Sequence, residues 1–401
     1  MSDRTPWLQI IGIGEDGLDG LSETARALVL EAEAIVGGDR HHSLAPNLRA
    51  ERIAWPSPFD AMVDTIKSFG GRRLVVLVTG DPLWYSVGAR LLKAIPADEI
   101  TFHPQLSAFQ LAACRMGWSL ADVETLTVHG RPAEQIVPAF APGARLLVLT
   151  KDHTTPGTVA KLLTDRGYGA SELTVLANLG GSEERTISGT AAVWSAEVPD
   201  FHTLAIRCQA DAGSTVLPRG PGLPDDAFIH DGKMTKQDVR AFTLSKLWPR
   251  RGALLWDIGS GCGSVAIEWM RMARDAEAIG IEPVAARRDM AMQNAVTLGT
   301  PRLKLIEGRA PDALSDLPAP DAIFIGGGLS RETIETALRH LKLHGRLVAN
   351  AVTLESEGVL AAAQREHGGD LVRIAVSHAD AIGDFRGWRP NMPVTQWSLA
   401  R

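Results

Sequence analysis

A glycine-rich segment in the second half of the chain constrains its fold more than any other feature. Residues 253–268 read Ala-Leu-Leu-Trp-Asp-Ile-Gly-Ser-Gly-Cys-Gly-Ser-Val-Ala-Ile-Glu. This pattern predicts a buried strand ending near Asp257, a turn through three glycines, and a helix beginning near Val265. Glycine lets the backbone turn sharply and approach a ligand that a Cβ atom would exclude. We therefore expect a strand–turn–helix unit that binds a small molecule where its helix begins.

Two acidic residues flank this glycine turn and narrow the choice of ligand. Asp257 stands two residues before the first glycine, and Glu282 follows an apolar run, 278–281, that predicts the next strand. A carboxylate after the second strand can accept hydrogen bonds from both hydroxyl groups of a ribose. A dinucleotide fold uses G-x-G-x-x-G, whereas this chain has G-x-G-x-G, and Asp257 would repel a pyrophosphate. The pattern favours a cationic ligand such as S-adenosylmethionine (SAM) over NAD; a turn that only links strand to helix is the other interpretation.

Short apolar runs alternate with amphipathic segments along the whole chain, which is typical of α/β folds. In the first half these runs are 7–11, 74–78, 146–149, 173–177 and 203–206. In the second half they are 254–258, 278–281, 303–306, 322–325, 346–349, 371–376 and 394–399. Between the first two runs, Ser22 is a candidate N-cap for a helix whose apolar face extends to Val36.

The segment 210–231 interrupts this alternation. Within residues 213–224 it contains three prolines and three glycines with no regular period. Such a composition is typical of a linker or a long surface connection. We therefore expect one domain at 1–212, a linker at 213–230, and a second domain at 231–401.

Composition and charge exclude several classes of protein. The chain has 401 residues, of which 45% are hydrophobic and 22% charged, and its formal net charge is −6. This length suits two or three domains with sizeable cores. No cluster of Lys and Arg provides the basic surface of a general nucleic-acid binder. The first residues lack a long apolar stretch and no run of about 18 apolar residues occurs, so we expect no membrane segment. The three cysteines are scattered, which suits a reducing compartment, so we expect a cytoplasmic protein.

Further motifs accompany the glycine turn in the second half. Residues 231–240 read Asp-Gly-Lys-Met-Thr-Lys-Gln-Asp-Val-Arg, residues 307–314 read Glu-Gly-Arg-Ala-Pro-Asp-Ala-Leu, and no helical segment separates the last two apolar runs. With these motifs, this half resembles the class I SAM-dependent methyltransferases, and among them the decarboxylating precorrin methyltransferases of cobalamin biosynthesis. The resemblance implies a Rossmann-like domain. The SAM contacts that we expect there are Thr235, Asp257, Gly259, Ser260, Gly261, Cys262, Gly263, Glu282 and Ala310. Arg309 departs from the pattern, because many class I enzymes have an Asp there for the adenine amino group.

The first half lacks such a loop but has its own set of motifs. Residues 12–18 read Gly-Ile-Gly-Glu-Asp-Gly-Leu, a Gly-Asp-Pro turn follows the run 74–78, and His-Pro-Gln-Leu-Ser-Ala begins at position 103. In this order and spacing they resemble the tetrapyrrole (class III) methylases, which bind SAM between two α/β lobes. The resemblance implies SAM contacts at Gly80, Asp81, Pro82, Ser107 and Ala108. Two departures are Glu15-Asp16, where the family reads Pro-Gly, and Gln105, where it has a glycine after the proline.

Together the two resemblances imply a two-domain α/β methyltransferase with one SAM in each domain. They imply methylation of a precorrin at macrocycle carbons 5 and 15, with decarboxylation of a ring acetate, to give precorrin-8 in vitamin B12 biosynthesis. Carbon 5 would belong to the first domain, and carbon 15 with the decarboxylation to the second. Both families suggest a homo-oligomer. The alternatives are the same chemistry on a cobalt-containing precorrin, an NAD-dependent oxidoreductase, and a non-catalytic SAM sensor.

The expected chemistry requires positioning rather than a strong base. An electron-rich macrocycle carbon attacks the sulfonium methyl group directly, so we assign no catalytic residue. The substrate bears many carboxylates, and the candidates to bind them are Arg131, Lys236, Arg240, Arg386 and Arg389. His41 and His42 lack a spaced third ligand, so we predict no metal site. His129 stands in a turn, and the pattern favours a histidine hydrogen-bonded to the backbone over one that orients the substrate.

Overall fold

The computed structural model describes residues 6–401, which form two compact units. The first unit comprises the chain up to Ala133 together with Phe140–Thr215, and the second comprises Glu134–Ala139 together with Val216–Arg401. Each unit is built on mixed α/β layers, as the alternating pattern predicts. Within residues 6–401, no helix is both long and apolar enough to cross a bilayer.

The first unit contains two five-stranded sheets. Strands of the first sheet are β1 (Leu8–Ile13), β2 (Ala34–Gly37), β3 (Glu51–Ala54), β4 (Leu74–Thr79) and β5 (Ile100–His103). They lie parallel in the order β3-β2-β4-β1-β5. Every residue of β1 is buried, because helices and loops cover both faces of a parallel sheet. The carboxyl ends of β1, β2 and β4 therefore meet at one edge.

The second sheet of this unit is largely antiparallel. Its strands are β6 (Glu124–Thr127), β7 (Arg145–Leu149), β8 (Glu172–Ala177), β9 (Arg185–Thr190) and β10 (His202–Arg207). They are ordered β6-β7-β10-β8-β9, and only the β6–β7 pair is parallel. The helices of the first unit are α1 (Glu23–Leu30), α2 (Asp39–Leu44), α3 (Met62–Lys67), α4 (Gly88–Leu91), α5 (Ala108–Met116) and α6 (Thr155–Thr164).

The helix predicted to reach Val36 ends earlier. Ser22 is its N-cap, as predicted, and its hydroxyl accepts a hydrogen bond from Ala25 N at 3.2 Å. The helix α1 ends at Leu30, and Ile35 and Val36 belong to strand β2 instead. Residues of β2 are buried between β3 and β4, so sheet burial of β-branched side chains overrides a spacing that also suits a helix.

The second unit is built on a seven-stranded sheet. Its strands are β11 (Leu254–Ile258), β12 (Glu277–Ile281), β13 (Lys304–Ile306), β14 (Ala322–Ile325), β15 (Arg346–Ala351), β16 (Asp370–Ile374) and β19 (Val394–Ala400). The order is β13-β12-β11-β14-β15-β19-β16, in which β19 runs antiparallel to both of its neighbours. The hairpin β17 (Ser377–Ile382) and β18 (Phe385–Pro390) stands between β16 and β19 in sequence.

Helices pack on both faces of this sheet. They are α7 (Gln237–Leu247), α8 (Ser264–Met272), α9 (Ala285–Thr297), α10 (Arg331–His340) and α11 (Leu354–His367). Much of the segment 213–230 also packs into this unit, since Leu223 and Phe228 are buried beside Leu244 and Leu255. A proline- and glycine-rich composition indicated irregular backbone there, but it did not indicate that single apolar side chains would anchor that backbone.

Candidate SAM and tetrapyrrole sites

The glycine turn of the second unit lies between β11 and α8, as the sequence predicts. Gly259 and Gly263 have φ values of +73° and +81°, in the left-handed region that favours glycine. A Cβ atom on Gly259 would lie 2.6 Å from the backbone of Gly327. The glycines after β14 therefore allow the two loops to touch.

Asp257 is the penultimate residue of β11, just before this turn, and is 1% exposed. Its Oδ2 accepts hydrogen bonds from the Ser260 hydroxyl at 3.0 Å and from Ala266 N at 3.1 Å. The pKa of Asp257 is raised to about 7, mainly by burial and to a smaller extent by the nearby Glu282, and the two hydrogen bonds oppose this shift. Oδ1 is also buried and has no partner among residues 6–401. A buried acceptor without a donor fits a ligand that brings a cation or an N–H group.

Glu282 follows β12 and is 2% exposed. Its Oε2 accepts a hydrogen bond from Gly261 N at 2.9 Å, and its Oε1 accepts one from Val284 N at 3.0 Å. These bonds fix the carboxylate beside the glycine turn, and each oxygen retains a second lone pair. Glu282 can therefore still accept hydrogen bonds from ribose hydroxyl groups.

The upstream motif 231–236 lies against the same turn. Lys233 O stands 3.6 Å from the position that a Cβ atom on Gly261 would occupy. Asp231 is held by Arg287 of α9 at 2.8 Å, so this motif is fixed to the helix that follows Glu282. Thr235, the expected SAM contact, belongs to this segment. Ala310 follows β13, so Glu282 and Ala310 lie after adjacent strands.

Asn294 is a residue of this site that our sequence analysis missed. It is 1% exposed on α9 and bonds two segments at once. Its Nδ2 donates to Ile229 O at 2.9 Å and to Cys262 O at 3.0 Å, and its Oδ1 accepts from Ile229 N at 2.8 Å. Asn294 thereby ties the upstream segment to the glycine turn. The sequence shows only an asparagine at this position, which identifies neither its burial nor its partners.

Arg240 was predicted to bind substrate, and the structure contradicts this. The side chain is 0% exposed, and its Nε donates to Glu268 Oε1 at 2.5 Å. It also donates to Asp225 at 3.1 Å and to the carbonyl groups of Thr235 and Leu223. Four hydrogen bonds and full burial leave no surface for a ligand, so Arg240 stabilises the fold beneath the upstream motif.

The other basic candidates of the second unit are exposed. Lys236 lies 3.6 Å from Asp225, and Arg389 pairs with Asp380 at 3.1 Å. Arg386 and Arg389 are three residues apart on β18, and side chains alternate along a strand, so they lie on opposite faces of the hairpin. The two cannot contact one ligand from the same face.

In the first unit, the Gly-Asp-Pro turn follows β4 and touches the loop before α5. Gly80 has φ +63°, and a Cβ atom there would lie 2.8 Å from Ser107 Cα. Ser107 is the N-cap of α5, and its hydroxyl accepts a hydrogen bond from Gln110 N at 3.4 Å. Asp81 Oδ1 accepts one from Leu83 N at 2.7 Å. The structure thus brings Gly80 and Ser107–Ala108 together, and Gln105 N donates to Gly80 O at 3.2 Å.

The remaining candidates of this unit lie near that turn or on its surface. Arg131 and His129 are exposed, and the Arg131 guanidinium lies 5.8 Å from the centre of the Tyr85 ring. Glu15, which departs from the family pattern, pairs with Arg40 of α2. Arg40 was not among our candidates. Its only sequence signal was the run Gly-Asp-Arg-His-His directly after β2.

Comparison with known proteins identifies two modules. A family model described as Tetrapyrrole (Corrin/Porphyrin) Methylases matches residues 8–193, and one described as Precorrin methyltransferase domain matches residues 226–401. The matches and the fold define a SAM-dependent methyltransferase of the tetrapyrrole class.

Similar proteins extend over almost the whole chain. A precorrin-6Y C(5,15)-methyltransferase [decarboxylating] from Sinorhizobium sp is 47% identical over 99% of this chain and 97% of its own length. The protein of that name from Mycobacterium tuberculosis is 39% identical over 98% of this chain and 99% of its own length. A crystal structure of the C-terminal domain of precorrin-6Y C5,15-methyltransferase from Rhodobacter capsulatus is 47% identical, with TM-score 0.44, over 46% of this chain and 100% of its own. The chain belongs to the precorrin-6Y C(5,15)-methyltransferase (decarboxylating) family.

Proposed function

We propose that this protein methylates a precorrin (precorrin-6Y/6B) at carbons 5 and 15 and decarboxylates a ring acetate, giving precorrin-8 in cobalamin biosynthesis. The observation that carries the proposal is the 47% identity between this chain and a precorrin-6Y C(5,15)-methyltransferase [decarboxylating], over nearly the full length of both proteins. Membership of a methyltransferase family favours methyl transfer over the NAD-dependent alternative. The chain has two separate candidate SAM-binding turns, the Gly-Asp-Pro turn after β4 and the glycine turn after β11. Two such turns favour an enzyme with two reactions over a sensor of SAM.

We propose one SAM site in each domain. The first domain, residues 1–212, would bind SAM at Gly80, Asp81, Pro82, Ser107 and Ala108. The second domain, residues 231–401, would bind it at Thr235, Asp257, Gly259, Ser260, Gly261, Cys262, Gly263, Glu282 and Ala310. The segment 213–230 would connect the two domains. Support comes from the contact between Gly80 and Ser107, and from the acceptors Asp257 and Glu282 beside the second turn.

The protein's own residues bind and orient in this mechanism. SAM would supply an electrophilic methyl group on a sulfonium, and transfer of that methyl group would leave a neutral thioether. Asp257 offers a buried negative charge to a cationic group, and Glu282 offers oxygen acceptors to a ribose. The glycine turn brings backbone N–H groups close to the ligand without intervening side chains. No general base is required, because the macrocycle carbon is itself the nucleophile and positioning lowers the barrier.

Decarboxylation requires an electron sink next to the acetate, and a protonated pyrroline of the substrate would provide it. Side chains would then hold the substrate carboxylates in place. Exposed Arg131 is our candidate in the first domain; Lys236, Arg386 and Arg389 are candidates in the second, with the two arginines acting from opposite faces of the hairpin.

We further propose that the chain works in the cytoplasm as a homo-oligomer. The three cysteines, Cys114, Cys208 and Cys262, are free thiols, which suits a reducing compartment. The hairpin β17–β18 exposes Phe385 (79%) and Trp388 (77%). A two-stranded sheet is marginal alone, and its open edges can pair with the same hairpin of a second copy. Light scattering should find an oligomer that Trp388→Ser weakens; a monomeric wild-type chain would contradict this.

The central test is mass spectrometry of a precorrin-6 pool incubated with the protein and methyl-labelled SAM. We expect two labelled methyl groups and the loss of one carboxyl group as CO₂. The two halves of the chain, separated near residue 220, should divide the two methylations between them. A parallel incubation with the cobalt-containing precorrin measures the alternative substrate. Label transfer to neither substrate would contradict the proposed function.

A further inference from the structure

Three loops of the first unit meet beside the Gly-Asp-Pro turn. Glu15 follows β1, Arg40 and His41 follow β2, and Thr79 ends β4. These strands are neighbours in the order β2-β4-β1 and run parallel, so their carboxyl ends share one edge of the sheet. Ligands of open α/β sheets bind at this edge. We call the group Glu15, Arg40, His41 and Thr79 the β2–β4 cluster.

The hydrogen bonds of His41 define which of its nitrogens carries the proton. Gly38 N donates to His41 Nδ1 at 3.1 Å, so Nδ1 is an acceptor without a proton. Burial, together with the smaller effect of the adjacent charges of Arg40 and His42, lowers the pKa of His41 to about 4, so the ring is neutral at pH 7. The proton of a neutral imidazole must then be on Nε2. Nε2 lies 3.1 Å from Thr79 Oγ1 and donates to it.

Thr79 consequently receives two hydrogen bonds and has a hydroxyl proton to donate. Arg40 Nη1 donates to the same Oγ1 at 3.1 Å. Two donors occupy both lone pairs of the hydroxyl oxygen. Among residues 6–401, no acceptor for the Thr79 O–H group is found, and the side chain is exposed. The hydroxyl group is therefore oriented as a donor towards solvent or a ligand.

Arg40 adds further donors at the same place. Of the five N–H groups of its guanidinium, two donate to Glu15 Oε1 and one to Thr79, which leaves two. The aromatic ring of Phe201 covers one face of the guanidinium, with 3.8 Å between Arg40 Cζ and the ring centre. Glu15 and Phe201 thus fix the orientation of Arg40 while its edge stays accessible.

We propose that Arg40 and Thr79 bind a carboxylate side chain of the tetrapyrrole substrate in the first domain. This inference rests on the proposed function, which supplies a substrate with several carboxylates. A carboxylate can accept from the Thr79 hydroxyl and from the free edge of Arg40 at once. Phe201 provides an exposed aromatic surface beside it, 38% accessible, on which a flat macrocycle can pack.

The position of the cluster favours the substrate over SAM as the source of the carboxylate. The proposed SAM contacts lie where Gly80 meets Ser107, and that loop follows β5, beyond β1. Arg40 follows β2, on the other side of β4. A molecule that receives a methyl group must lie next to the cofactor, and a carboxylate at Thr79 would be one residue from the Gly-Asp-Pro turn.

The experiment compares Thr79→Val with Thr79→Ser in the full chain. Valine removes the hydroxyl group at nearly constant volume, and serine retains it. Thr186→Val is the matched control, because Thr186 is an exposed threonine on strand β9 of the same unit. Thr79→Ala gives the same test should valine disturb β4. For methylation at carbon 5, we expect Thr79→Val to raise the KM for precorrin roughly tenfold with kcat unchanged, the size of one hydrogen bond to a charged group.

Thr79→Ser and Thr186→Val should match wild type, and the SAM dissociation constant from calorimetry should be the same in all variants. A weaker affinity for SAM with an unchanged KM for precorrin would assign the carboxylate to the cofactor and overturn the proposal. No change in either constant would make the β2–β4 cluster purely structural.

A wild-type chain that methylates no precorrin contradicts the proposed function, and the site is then measured by binding alone. The probe is uroporphyrin, a tetrapyrrole with carboxylate side chains, followed by quenching of tryptophan fluorescence. Weaker binding to Thr79→Val than to Thr186→Val supports the carboxylate site. Equal binding to both variants overturns it.

Discussion

Replacing Asp257 by Asn tests the electrostatics of the second site most directly. Burial raises the pKa of Asp257 from 3.8 to about 7, so its ionised form is disfavoured in the folded chain. At about 1.4 kcal/mol per pKa unit, ionisation costs the folded state roughly 4 kcal/mol near pH 8. This cost is absent below the unfolded pKa, grows as the pH rises, and is complete above the folded pKa. Stability that wild type has at low pH is therefore lost towards pH 7.

Asparagine removes the charge and keeps an oxygen for Ser260 and Ala266. Its amide N–H groups replace the unpartnered Oδ1, and a buried donor without a partner costs about 1–3 kcal/mol at every pH. The absolute difference from wild type therefore depends on the amide. The pH dependence of the difference in unfolding free energy does not depend on the amide. Between about pH 5.5 and pH 8, the unfolding free energy of Asp257→Asn should rise by about 2 kcal/mol relative to wild type.

The assay is thermal unfolding of the ligand-free chain by calorimetry across this pH range, with attention to the transition of the second unit. Asp316→Asn is the control, because Asp316 is exposed and has no ion pair among residues 6–401. We also expect Asp257→Asn to weaken SAM binding, since it removes the negative charge. A stability difference that stays constant with pH, or that favours wild type more at pH 8 than at pH 5.5, would refute the reasoning.

Four further substitutions test contacts of the second unit. Gly259→Ala should lower the free energy of unfolding by roughly 3 kcal/mol, because the new Cβ atom would clash with the Gly327 backbone. Gly261→Ala should lower it by only about 1 kcal/mol in the same thermal melts, because the nearest atom lies 3.6 Å from the new Cβ atom. Arg240→Gln should lower the unfolding free energy in urea by about 3–5 kcal/mol because Glu268 stays buried without its partner; a loss below about 1 kcal/mol would contradict a buried pair. Asn294→Leu should lower the free energy of unfolding by about 2–4 kcal/mol and weaken SAM binding measured by calorimetry. Unchanged SAM affinity would show that SAM binding does not require the hydrogen bonds between Asn294 and the upstream segment.

The strands of the second unit could be predicted closely from the sequence. The predicted runs 254–258 and 322–325 coincide with β11 and β14, because strands buried on both faces are continuous apolar segments. The last two apolar runs, which no helical segment separates, lie in β16 and β19 and pair as antiparallel strands. The hairpin β17–β18 between them was missed, since its residues are mostly exposed and no apolar run marks it.

The first unit was harder to predict for the same physical reason. Edge strands such as β3 and β9 have little burial, so they lack the continuous apolar pattern by which central strands are recognised. The strand β2 has that pattern, but its spacing also continued the apolar face of α1. Only the parallel neighbours β3 and β4 decide between the two structures, and a single segment carries no information about its neighbours.

Basic residues show most clearly what a sequence leaves open. Arg240 stands in the upstream motif and was predicted to bind substrate, yet Glu268, Asp225 and two carbonyl groups surround it. Arg40 was not predicted, yet its guanidinium edge faces the loop that carries the Gly-Asp-Pro turn. Both arginines are paired with a glutamate, so pairing does not separate them. The two arginines differ in burial. Arg240 is fully buried, whereas the Arg40 side chain is 30% exposed and two of its N–H groups have no acceptor in the described part of the chain. The accessible donors of a guanidinium, rather than its charge, decide whether it can bind a carboxylate ligand.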